Sequence, residues 1–442
     1  MPGTSAVRRS VAAATTGGGR MGEGLRAGQA APVARCSRRR DRLRSLARAA
    51  SRLAARVPTP WGFVLAVFVG SKVVLSLIGV TVLAAWDGVP GAPPPDEALM
   101  RAQQHDVSPH RWISLWFAWD SFLYDHLAQV PLDRPWRDFG FPLLYPFLAR
   151  PFAVLLGGHT AWALLLVSNV ALVFQLYYAH QLGGRLLGDD GADAAGAAGR
   201  RFTRYLLLLP AAFLFQAALT ESLFLCLVLA AFWYAERGRW ALVGIVGYFL
   251  ALSRSIGFLV VVPLALVLLR QHGYHLGLRT IGRYLRIGWP LLLVPAGWLT
   301  FMAFGKWQSG DWYAYKHAQE EGWGISVQNP LGVIIHGLTG SSGDALRAWV
   351  AVAVLVMALV GLRRVELPYL VYTVIVVLVP LSMGPLVYRS LLRYLLAAFP
   401  VALVLARWAQ RATLDSWLTA ALALTQGALF VVWLTYWTHF II

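Results

Sequence analysis

Cysteine is nearly missing from this chain: Cys36 and Cys226 are the only two, and their surroundings differ. No disulfide framework or cysteine-rich metal site follows from such a pair. Charge is scarce as well. Only 14% of the 442 residues are Asp, Glu, Lys or Arg, where an ordinary soluble domain carries about a quarter. Acids are the rarer sign, 21 against 39 bases, for a net charge of +18. That excess invites a nucleic-acid partner until it is located. Residues 1–57 hold thirteen arginines, no lysine and two acids (Glu23 and Asp41), so this segment alone carries +11. It is rich in Gly, Ala and Ser, has few large apolar residues and lacks the apolar core of a signal peptide. The expectation is a disordered basic tail with a short amphipathic helix near Arg38 to Arg56. Arginines ahead of a first span hold that end in the cytoplasm, and this role is preferred to nucleic-acid binding.

What the chain does have is apolar length. Hydrophobic residues make up 58% of it, tryptophans number 19, and mean hydropathy is +0.57. Runs such as Trp61 to Trp86 and Leu414 to Trp437 can cross a hydrocarbon core of about 30 Å. Residues 58–442 therefore read as an all-α, polytopic membrane domain. Placing basic loops inside gives about eleven crossings, near 61–86, 160–184, 205–219, 221–235, 240–253, 256–270, 287–304, 346–362, 367–381, 391–406 and 414–438. The proline-broken stretch 141–156, after the first span, reads as a re-entrant or membrane-edge helix. Loops 87–140 and 305–345 fall outside, in a multi-pass protein of the cell membrane with its N-terminus in the cytoplasm.

This arrangement sorts the polar residues that belong to no basic loop. Asp120 and Asp125, Thr220-Glu221-Ser222, Arg254, the Gly310 to Gly324 loop, Arg389 and Arg393 all fall at the outer boundary. Arginines on the outer side run against the usual charge rule and call for an anionic partner. In "AWDSFLYDHLAQ" a helix would put Trp116, Asp120 and Tyr124 on one face and Asp125 on a neighbouring one, pointing to water. A boundary carboxylate flanked by tryptophan, as Asp120 is by Trp119, suits a general base that takes a proton from an attacking hydroxyl. In "LTESLF", Thr220 and Ser222 either cap a helix starting at Glu221, or Glu221 adds a second carboxylate to the outer cluster. Arg254 in "LSRSIGF", with Gly257 aiding the bend, either locks onto Glu221 or grips a phosphate. Arg389 and Arg393 lie four apart, on one helical face, and face the same choice. Three outer arginines and few outer acids leave positive charge unpaired, which favours phosphate for at least one of them. In "GDWYAYKHAQEEGWG", Asp311, His317, Gln319 and the aromatic rings are types that stack on and hydrogen-bond sugars. These stretches hold no HExxH, DxD, CxxC, P-loop or GxGxxG, which counts against metal-hydrolase, nucleotide-sugar and NTPase readings.

Taken in order, "WDS" (119–121), "FPLLYP" (141–146), "TESLF" (220–224), "LSRSIG" (252–257), "GDWYAYKHAQEEGWG" (310–324) and "RYLLAAFP" (393–400) resemble the PIG-V-type mannosyltransferases. Residues 61–405 are covered by the resemblance. It implies a GT-C glycosyltransferase with its active site at the extracytoplasmic face, a polyprenyl-phosphate sugar donor, usually mannose, and inversion. It carries Asp120 over as the catalytic residue and Glu221, Arg254, Asp311, His317, Gln319 and Arg393 as motif positions. It implies no metal and no cofactor. The family often has a basic residue where Ala118 stands, so any phosphate contact made from that position must come from elsewhere or be missing. The acceptor would be an envelope glycolipid, a glycan or a secreted protein. A flippase or transporter for a lipid carrier, and a non-catalytic accessory subunit, are the competing classes.

Overall fold

The computed structural model describes residues 60–87, 107–108, 110–129, 138–188, 191–275, 277–362 and 367–435. The expected basic tail, most of the first outer loop, and the basic pair Arg363 and Arg364 lie outside the described residues. Among the described residues every regular element is a helix.

The long helices are α1 (Trp61–Asp87), α2 (Asp120–Gln129), α3 (Leu144–Leu155), α4 (Thr160–Leu187), α5 (Ala192–Leu208), α6 (Glu221–Glu236), α7 (Trp240–Ser253) and α8 (Val261–Gln271). They continue with α9 (Leu278–Gly288), α10 (Leu293–Ser309), α11 (Ala314–Trp323), α12 (Pro330–Thr339), α13 (Ser342–Gly361), α14 (Leu367–Leu381), α15 (Phe399–Trp408) and α16 (Ala412–Leu434). Among the described residues, five helical stretches are long and apolar enough to cross a bilayer: α1, α4, Thr280–Ser309, α13 and α16. The bent pair Pro385–Leu395 and Phe399–Trp408, angled at 52°, would make a sixth. Five apolar helices are shorter, Leu144–Leu155 and Leu367–Leu381 among them. This is the helical content of a multi-pass membrane protein; the eleven expected crossings would require the shorter apolar helices to cross as well.

Two expected spans are built differently. The stretch 205–219 is not one helix. Helix α5 ends at Leu208, one residue before the Leu209-Pro210 step, and a 3-10 turn (Ala212–Gln216) follows. Proline lacks the amide hydrogen a helix needs and restricts the residue before it, so the chain leaves the helix there. The stretch 391–406 is likewise broken. Helix Leu391–Leu395 stops and α15 restarts at Phe399, with Pro400 in its first turn. Helix α3, with Pro151 inside it, is only about 18 Å long and falls short of the hydrocarbon core.

Helix α6 organises the interior. Each of its two ends carries a glutamate held by arginines, the two about 23 Å apart by helical rise. At the far end, the Glu236 carboxylate accepts from Arg270 Nη2 at 2.7 Å and from the Tyr369 hydroxyl at 2.6 Å. Arg185 Nη2 donates to the Glu236 carbonyl at 2.8 Å. Thus the C-terminal ends of α4, α6 and α8 meet the start of α14. Between the ends, Leu225, Val228, Leu229 and Phe232 are buried, each full burial stabilising the packed state by about 1.5–3 kcal/mol if the reference is water. Helices α4 and α5 pack closely against each other, which Gly199 permits: a side chain there would meet the His180 carbonyl oxygen at 2.4 Å.

Candidate active site

The near end of α6 is where the quoted motifs converge. Residues 116–119 reach it as a bent segment rather than as a helix. Trp119 has φ +50°, a left-handed conformation uncommon for a bulky residue. The Ala118 amide donates to Ser121 Oγ at 3.2 Å, closing the turn, and α2 starts at Asp120. The "WDS" motif is therefore a kink that aims one carboxylate. Trp116 lies before the kink, fully buried, so it does not share a helical face with Asp120 as expected. Tyr124, one turn along α2, does share that face; its ring packs edge-on against Phe141 and Tyr145.

Glu221 opens α6 almost fully buried, and neither neighbour caps the helix. Ser222 Oγ donates to the Ser168 carbonyl at 2.9 Å, and Thr220 Oγ1 has no partner among the described residues. The capping account of this motif fails. Instead, Glu221 Oε1 accepts from Arg254 Nη1 at 2.9 Å and from Arg393 Nε. Arg393 Nη1 also donates to Asp120 Oδ2. Arg254 sits on extended backbone just after α7, between the rings of Phe224 and Tyr394. Gly257 makes the following turn feasible, since a side chain there would lie 2.2 Å from the Leu250 carbonyl oxygen.

The result is an alternating row, Asp120, Arg393, Glu221, Arg254, drawn from four separate segments. Its formal charge is zero. This corrects the expectation that outer arginines lack acids, because Arg254 and Arg393 are both satisfied. Arg389 is the exception. It is exposed, on the 3-10 turn Pro385–Ser390, and has no hydrogen-bond or ion-pair partner among the described residues.

These groups border a cavity of about 290 Å³. Trp119, Asp120, Tyr124, Arg254, Gln319, Arg389 and Arg393 all line it. Gln319 is fixed there by donating to the Gly140 carbonyl at 2.6 Å. Tyr315 and Trp323 of the same helix, α11, with Phe141, add aromatic wall. One acid–cation row, one unpaired guanidinium and several rings thus face one space. Glu221 stands behind the wall and acts on the cavity only through its arginines.

Asp311 and His317 are brought to each other and not to this wall. Asp311, on the exposed loop after α10, and His317, in the first turn of α11, place Oδ2 and Nδ1 2.6 Å apart. The Tyr313 amide, first, and His317 hold the Asp311 carboxyl below its usual range. Asp125 also departs from expectation. It is half-buried rather than free in water, accepting from Thr160 Oγ1 at 2.5 Å and Gln129 Nε2 at 2.6 Å. Burial pushes its carboxyl up against the pull of those donors. Tyr394 and Phe224, whose rings flank Arg254, stand inside the quoted "RYLLAAFP" and "TESLF" but were not among the expected site residues; adjacency to Arg393 and Glu221 was the available signal. Among the described residues no three His, Cys, Asp or Glu side chains gather as a metal site would require. No protein-family model matches this chain, and no curated protein matches its sequence.

Proposed function

We propose that the protein is a membrane glycosyltransferase of the PIG-V-like, GT-C kind. It moves a sugar, with mannose the first choice, from a polyprenyl-phosphate donor to a hydroxyl of an extracytoplasmic glycan, glycolipid or protein, with inversion. The observation that carries this reading is the cavity wall itself: an ionic row ending in Asp120, with the unpaired Arg389 on the same wall. In this reaction the acceptor O–H gives its proton to the Asp120 carboxylate. The oxygen attacks the anomeric carbon, and the bond from that carbon to the phosphate oxygen breaks. The phosphate leaves with the electron pair and meets positive charge from Arg389, supported by Arg254. Arg393 orients Asp120, and Glu221 holds Arg393 and Arg254 in place.

The placement of Arg389 changes the assignment of roles. A guanidinium already engaged by carboxylates must give up those contacts to take a phosphate, whereas a free one need not. Aromatic rings beside the carboxylate suit stacking on a sugar and keep water from competing. A carrier-transport reading would be favoured by polar residues continuing along the interior. The middle of α6 is packed with apolar side chains instead, which favours group transfer.

The experiment is transfer by the purified protein in detergent or nanodiscs, with polyprenyl-phosphate mannose carrying a labelled sugar. Label moving to an added membrane-extract acceptor, with release of polyprenyl phosphate, supports the reading. Movement of intact donor across the bilayer without bond cleavage would replace it with transport.

A further inference from the structure

Lys72 lies in the interior of α1, about 16 Å along it from Trp61 by helical rise. An ammonium group among membrane-spanning residues is costly and calls for a task. Helix α1 does not line the cavity described above, yet both contacts of Lys72 lead to it. The Nζ atom sits 3.6 Å from the centre of the Trp116 ring. It also donates to the Gln216 carbonyl at 3.1 Å. No carboxylate pairs with it among the described residues.

Trp116 precedes Asp120 by four residues, and Gln216 precedes Glu221 by five. These two segments are further tied by one main-chain bond, from the Ala218 amide to the Trp116 carbonyl at 2.9 Å. Gln216 is gripped from α1 a second time, its Nε2 donating to Ser71 Oγ at 3.0 Å. From α4, Asn169 Nδ2 reaches the same Gln216 carbonyl at 3.4 Å. The short leads from Trp116 to Asp120 and from Gln216 to Glu221 contain a kink at Trp119 and the non-helical turn after Gln216. Neither lead is held rigid by a continuous helix. Fixing their upstream ends therefore fixes where the two carboxylates can meet Arg393.

We propose that Lys72 is a positioning residue: its ammonium, set between the Trp116 ring and the Gln216 carbonyl, holds the two carboxylate-bearing segments in the register that lets Asp120 and Glu221 share Arg393. The attraction of a cation for an indole face, strengthened away from water, is the force on one side. A charge-assisted hydrogen bond is the force on the other. The catalytic part of this inference rests on the transferase reading; the positional part does not.

Two variants and two readouts test it. Lys72→Met keeps length and volume but loses the charge, and a neutral side chain suits a bilayer better, so the protein should accumulate normally. Lys72→Arg keeps both contacts. With polyprenyl-phosphate mannose as donor, Lys72→Met should lower kcat about ten-fold to a hundred-fold while KM for the donor stays within about two-fold, and Lys72→Arg should restore most of kcat. Amide hydrogen exchange, which needs no activity, should quicken in peptides covering 114–122 and 214–222 in Lys72→Met, stay slow in Lys72→Arg, and leave α13 and α16 unchanged. Unchanged exchange in both peptides would overturn the proposal. Faster exchange throughout the protein, in both variants, would overturn it too by reducing Lys72 to a general packing role. If the wild-type protein transfers no sugar, the transferase reading falls while the exchange result still decides the role of Lys72.

Discussion

Removing Glu221 perturbs the ionic row at its most connected point. The carboxylate is 2% exposed and one oxygen, Oε1, serves both Arg254 and Arg393. In Glu221→Gln the shape persists, but two guanidinium groups then share the single charge of Asp120, and the row goes from neutral to +1. Breaking a buried ion pair from one side costs about 3–5 kcal/mol. The lower end applies here, because Arg393 keeps Asp120 and Arg254 keeps two ring faces and some solvent contact. The informative assay is a double-mutant cycle with Arg254→Met, read as unfolding free energy in detergent. Each single change should destabilise by roughly 3 kcal/mol, since each leaves one unmatched buried charge. The double variant restores neutrality, Asp120 against Arg393, and should be more stable than either single variant by about 1–2 kcal/mol. A double variant that loses the full sum would mean the two groups do not couple, and the shared-carboxylate geometry would be refuted.

Three further outcomes follow from the same arrangement. Arg389→Ala should lower transfer efficiency about ten-fold to a hundred-fold by removing one charge-assisted phosphate contact, with unfolding unchanged because the side chain is exposed and unpartnered; a normal rate would remove it from phosphate binding. Asp311 has a depressed carboxyl, so its contribution to loop stability is present above the usual carboxylate pKa and fades as pH falls through the depressed value. Exchange protection of residues 309–317 should thus be flat near neutrality and drop below about pH 4, and Asp311→Asn should abolish that drop. For sidedness, a cysteine replacing exposed Trp312 should react with an impermeant thiol reagent from outside intact cells while one replacing exposed Arg283 stays protected; the reverse pattern would put the cavity on the cytoplasmic side.

Hydropathy made the long spans legible, since α1, α4, α13 and α16 are single apolar runs and nothing competes with that signal. Polar islands between such runs located the site, because a charge near hydrocarbon stands out whatever it does. Sequence offered the Arg254–Glu221 pair as one of two choices, and the structure shows it; the rest of the row, and which arginine stays free, could not be read from sequence. Whether Arg254, Arg389 or Arg393 is the free cation depends on how α6, the turn after α7 and the broken helix before α15 pack, and no spacing rule encodes that. The 205–219 span failed for a local reason, Pro210, which outweighs the apolar run around it. Asp125 was misplaced because Thr160, 35 residues away, supplies its hydrogen bond. Lys72 went unremarked because a run that long still reads as a span with one lysine in it; the lone cation in such a run was itself the signal.

The most direct test of the account is Asp120→Asn in the purified transfer assay. The amide keeps the size of the carboxylate and can still accept from Arg393, but it cannot take the acceptor's proton. Transfer from polyprenyl-phosphate mannose should fall by about 10²–10⁴-fold, with normal expression and donor binding, while Asp125→Asn on the same helix falls far less. Transfer by Asp120→Asn at close to the wild-type rate would contradict the account, because the cavity would then hold no base.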